Sequence, residues 1–163
     1  WVLVERERIG AFYEQPPESS SDLVPLLRFH RQWRRGDGAA ALETWTSAEL
    51  YPVTDVEQLG LAAAAGFMGD EAAEDLLAAL EGPYATEASI VRGRMMLERG
   101  DTGGAFKNFA SAVEQLRQVP WAHPGVFEML FESLDRVVTE DPSIAQAAFD
   151  LLGPSFADER ARD

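Results

Sequence analysis

His30 and His123 are the two imidazoles of this chain. Imidazole changes charge near neutral pH and is the commonest protein metal ligand. Neither has a second histidine three or four residues away, the spacing that sets two rings on one helix face to hold zinc. Each therefore reads as a solvated or helix-capping side chain. Cysteine is absent, which removes disulfides, thiolate nucleophiles and cysteine metal sites. Serines occur, but in no Gly-x-Ser-x-Gly elbow and no Ser-His-Asp order. Gly100-Asp101-Thr102-Gly103-Gly104 has the glycine content of a phosphate loop, without the Lys-Ser/Thr ending or a preceding strand. Glu71, Glu74 and Asp75 cluster, as do Glu128 and Glu132. Paired carboxylates can exchange protons in a cleft, but on helices they usually form a solvated face. The sequence thus leads us to expect no enzyme, no catalytic residue, no cofactor and no metal.

The arginines are arranged more tellingly. Arg28, Arg31 and Arg35 stand at i, i+3 and i+7, one face of a helix, with Arg34 beside them. Arg28 and Arg35 recur 64 positions later as Arg92 and Arg99. Such a stripe suits a partner's carboxylate, because guanidinium offers a planar fork of donors. The competing reading is salt bridging to neighbouring helices that carry Glu43 or Glu71.

The charge balance narrows the partners. Over 163 residues the net charge is −14 and the pI about 4.5. That field repels nucleic acid and anionic membrane surfaces, leaving protein or peptide. Apolar stretches such as Leu59 to Met68 are too short to span a bilayer. The beginning, Trp1-Val2-Leu3-Val4-Glu5-Arg6, is charged too early for a signal peptide. A cytoplasmic location is the expectation. A start without Met reads as a piece of a larger protein.

The elements that position these side chains read as helix after helix. A first helix is expected over residues 2 to 14, closed by Pro16-Pro17 and a Ser-rich link. Asp22 caps the next, which carries Leu26, Phe29 and Trp33. Thr54 with Glu57 is a capping box. Leu76, Leu77 and Leu80 follow helical spacing, and Phe127, Leu130, Phe131, Leu134, Val137 and Val138 form a long apolar stripe. Asp141-Pro142 opens a last helix through Ala145 and Phe149. The charged tail, from Ala157 to Asp163, is expected to fray.

One phrase occurs twice. Arg35-Gly36-Asp37 is followed by Ala41, Trp45 and Ala48, and Arg99-Gly100-Asp101 by Ala105, Phe109 and Ala112, each element 64 positions after its counterpart. Gly69-Asp70 lies midway, so the unit is about half that length, one helix hairpin. Ala145 and Phe149 stand at the same steps after Asp141 as Ala41 and Trp45 after Asp37. This pattern resembles the tetratricopeptide repeat, best in the second helix of each hairpin. The first helices match poorly: Pro25, Arg28, Phe29 and Gln32 stand where the family alternates bulky and small residues, and in the later unit Gly93 alone fits well.

The resemblance implies an all-α fold of antiparallel helix hairpins stacked as a right-handed superhelix over residues 22–153. Residues 1–21 would be a helix and linker, and 154–163 a charged tail. It also implies a non-catalytic scaffold that binds an extended peptide on its concave face. By matching position the contact residues are His30, Trp33 and Arg34, then Phe67, then Arg94, with Arg31 added by the arginine stripe. The alternative expectation is a structural or dimerising appendage of an upstream catalytic domain, for which a homodimer is the natural form.

Overall fold

The computed structural model describes residues 23–80, 82–118 and 122–153. The expected first helix, the Pro/Ser link, the Asp22 cap and the charged tail lie outside these. Among the described residues the fold is all-helical, with no strand. Eight α-helices run in order: α1 (Leu23–Arg34), α2 (Gly38–Ser47), α3 (Asp55–Phe67), α4 (Ala72–Ala78), α5 (Ala85–Glu98), α6 (Thr102–Gln118), α7 (Pro124–Glu140) and α8 (Ala145–Leu152). A 3-10 turn, Pro142–Ile144, precedes α8. None of these helices is long and apolar enough to cross a membrane.

Three turns share one chemistry. Gly36, Gly69 and Gly100 have φ of +78°, +65° and +78°, a left-handed conformation that glycine adopts without a Cβ penalty. The amides of Asp37, Asp70 and Asp101 donate back to the carbonyls of Gln32, Ala65 and Met96, each at 3.0 Å. This is the Schellman closure of a helix C-terminus. Each aspartate then turns to the next segment: Asp37 Oδ1 accepts from Ala40 N at 3.1 Å, Asp70 Oδ1 from Ala72 N at 3.0 Å and Asp101 Oδ1 from Gly104 N at 2.8 Å. At Asp37 and Asp101 the Gly-Asp pair thus ends one helix and caps the next, whereas the Asp70 bond falls on Ala72 and the N-cap of α4 is Glu71, with no side-chain capping bond. The Thr54–Glu57 capping box forms as expected, with Glu57 Oε2 accepting from Thr54 N at 3.0 Å.

The packing order follows the chain. α1 rests on α2 and α3; α3 on α4 and α5; α5 on α6 and α7; α2, α4 and α6 each also touch the first helix of the following pair. Small residues make the close approaches possible. A Cβ on Gly93 would lie 2.7 Å from Phe109 Cδ1, and one on Gly38 2.7 Å from Phe67 Cβ. Trp45, tilted against Phe29 with ring centroids 4.7 Å apart, and Phe109 fill the grooves of the two matched units.

The fourth turn departs from the phrase. It has no glycine: Asp141 takes φ −132° and a 3-10 turn intervenes. That extra turn rotates α8, so Ala148 is buried and Phe149 is 71% exposed, whereas Phe109 is fully buried. The likeness of Ala145 and Phe149 to Ala41 and Trp45 holds in sequence and not in packing. Phe127 and Phe131 likewise leave the expected apolar stripe and face outward from α7.

Candidate functional site

The sequence-derived residues fall into two clusters. In the first, α1 brings His30, Trp33 and Arg34 to the head of α7. Trp33 is 1% exposed and presents no surface to a partner in this conformation. Its indole lies in a slot between two glycines. A Cβ on Gly60 of α3 would sit 2.7 Å from Trp33 Nε1, and one on Gly125 of α7 would sit 3.1 Å from Trp33 Cη2 and Cζ3. Trp33 Nε1 donates to His30 Nδ1 at 3.2 Å, and the His123 ring lies 5.3 Å from the Trp33 ring. His123 N donates to Glu87 Oε1 at 2.8 Å, and Glu87 itself is buried on α5. The two histidines, 93 residues apart in sequence, are thereby brought to one indole.

Burial, more than any neighbour, holds both imidazoles below their ordinary pKa of 6.5. Glu57 opposes this at His30, and Arg34 reinforces it. At His123 the Arg34 cation and His30 reinforce it while Glu87 opposes. Nδ1 of His123 is buried with no hydrogen-bond partner.

The second cluster lies on α3, α5 and α7. Arg94 sets its guanidinium 4.8 Å from the centre of the Phe67 ring, a cation–π contact. The same group bonds Glu98 and reaches Ser133 Oγ at 3.4 Å, while its Nε is buried without a partner. Glu98 also accepts from Arg136 Nη1 at 2.7 Å, and Arg136 Nε donates to Glu140 at 2.5 Å. Hydrogen bonds to Glu140 and then Glu98 raise the Arg136 pKa above its usual value. Two cations and two carboxylates balance here, tying α5 to α7.

The arginine stripe divides. Arg31 is half-buried on α1. The repeated pair is absorbed by packing: Arg92 Nε meets Glu74 at 2.8 Å, and Arg99 meets Glu71 at 3.2 Å while its Nε donates to the Gly69 carbonyl at 2.8 Å. Arg92 and Arg99 therefore fasten the third hairpin to the second. A shallow polar groove between α1 and α2 has Arg28 and Glu43 in its walls.

One surface escaped the sequence reading. Phe127 and Phe131 are 39% and 45% exposed and stack edge to face at 4.9 Å. Exposed Glu128, Glu132 and Asp135 share that side of α7. The signal was present: each phenylalanine is followed at once by a glutamate, a poor pattern for a helix buried all round. Among the described residues no group of three or more His, Asp or Glu is placed to hold a metal ion. No protein-family model matches the chain, and no curated protein or solved structure matches it either.

Proposed function

We propose that the chain is a non-catalytic protein–protein interaction module, a tetratricopeptide-like right-handed stack of helix hairpins that works as part of a larger protein. The observation that carries this reading is the Phe127–Phe131 pair, two partly exposed aromatic rings packed edge to face and flanked by carboxylates. Exposed aromatic side chains on a rigid helix are the usual energetic centre of a protein interface. Surrounding acidity, in a chain of net charge −14, selects a partner segment that sets apolar side chains among basic ones. The stacked hairpins below hold α7 rigid, which limits the entropy lost on binding.

The partner surface is then α7, and not the Trp33 side of α1. The test is fluorescence anisotropy with labelled helical peptides of alternating Leu and Lys faces, against the same peptides with Glu for Lys. Binding of the Lys series, weakened about tenfold or more by the double change Phe127→Ser and Phe131→Ser, supports the reading. Equal binding by that variant overturns it.

A dimerising role is the second reading, favoured by Phe149 and Leu152, which α8 leaves exposed. Sedimentation separates the two: a monomer that Phe149→Ser does not alter removes the dimer.

A further inference from the structure

We propose that His30 and His123 form an acid-sensitive clasp that holds α1 against the head of α7 while both rings are neutral and releases Trp33 when they are protonated. The argument begins with hydrogen-bond direction. An indole nitrogen can only donate, so His30 Nδ1, 3.2 Å from Trp33 Nε1, must be the acceptor. His30 is therefore neutral, with its proton on Nε2. Adding a proton to Nδ1 sets two donors face to face and abolishes the bond. His123 has the complementary weakness. Its Nδ1 is buried without a hydrogen-bond partner, so an N–H placed there by protonation would have no protein acceptor in the closed geometry.

The charged surroundings sharpen this. From α1, Arg34 acts on both rings; from α3, Glu57 acts on His30; from α5, Glu87 acts on His123; and His30 acts on His123. α7 contributes Gly125, which carries no charge. The two carboxylates favour protonation, whereas burial, Arg34 and the second ring oppose it. Once one imidazolium forms, the other cation is disfavoured in the closed geometry. Opening the clasp relieves both by restoring water to the rings.

The slot explains why release is local. Trp33 is held by a fit between Gly60 and Gly125 and by one hydrogen bond. The second and third Gly-Asp turns and the α5–α6 packing contain none of these groups; the first turn involves the Trp33 carbonyl, which accepts from Gly36 N at 3.0 Å, and not its indole. The clasp uses Gly125, and the proposed docking face begins two residues later on the same helix with Phe127.

The test is indole hydrogen exchange in the full chain, followed by NMR on protein labelled at its four tryptophans, with the Trp33 signal assigned from Trp33→Phe. Between about pH 7.5 and pH 5 the Trp33 indole protection factor is expected to fall about tenfold or more, while the Phe109 amide stays protected. The double variant His30→Gln, His123→Gln is expected to lose that step. Unchanged Trp33 protection overturns the clasp. So does loss of protection at Trp33 and Phe109 together, which is global unfolding, and so does an unaltered step in the double variant. Should the double variant not fold, the imidazole nitrogens of the unaltered protein decide. Titration below 6.5 in step with the Trp33 signal supports the clasp, and titration uncoupled from it overturns it.

Discussion

At the scale of single residues, burial separates side chains that the sequence makes look alike. Phe109 and Phe149 occupy the same step of the repeated phrase, yet one is fully buried and the other 71% exposed. Phe109→Ala should cost about 3–5 kcal/mol, because it removes a core ring and leaves a cavity. Phe149→Ala should change stability by no more than about 0.5 kcal/mol, as for other exposed positions. Urea denaturation of both variants checks the contrast. Gly93→Ala should cost about 1–3 kcal/mol in the same assay, since the new methyl would meet the Phe109 ring at 2.7 Å. None of this packing detail could be read from residue type. A phenylalanine at helical spacing gives its face and not its neighbour, so Phe127 and Phe131 look like core until α5 is seen to cover the opposite side of α7.

At the scale of elements, the turns were the legible part. Gly-Asp encodes a left-handed C-cap and an N-cap in two residues, so the positions of three turns follow from the sequence alone. Thr54 and Glu57 fix the start of α3 by the same local logic. Loss of the cap in Thr54→Ala should cost about 1 kcal/mol, measurable as a shift in urea midpoint at constant slope. The fourth turn shows the limit of this reading. Glu140 stands where the other three turns place glycine, Asp141 takes φ −132°, and a 3-10 turn leads into α8. The arginines show a second limit. Arg92 and Arg99 share a helix face in sequence, but only the fold brings Glu74 and Glu71 to meet them.

At the scale of the whole molecule, long-range closure was illegible. His30 and His123 come to the same indole, Trp33, which packs against Gly125 at the head of α7, and no local signal encodes that meeting. Acid stability carries its signature. Both imidazoles titrate below 6.5 in the folded chain, so as pH falls through 6.5 the unfolded chain takes up protons that the folded chain refuses. Their contribution to stability is therefore complete above that pH and declines as pH drops toward the folded values. Urea midpoints should fall between about pH 7 and pH 5, and His123→Gln should flatten that fall.

The central claim is that α1 closes on the head of α7 through Trp33. An uncurved row would separate those helices by three packing distances of about 8–10 Å each, or about 25–30 Å in all. The direct measurement is the nuclear Overhauser effect between the Trp33 ring protons and Gly125 Hα at about neutral pH. The account predicts strong cross-peaks, lost in Trp33→Phe spectra at the indole frequencies. Well-resolved spectra with no Trp33–Gly125 cross-peak would contradict the closure, and with it the clasp.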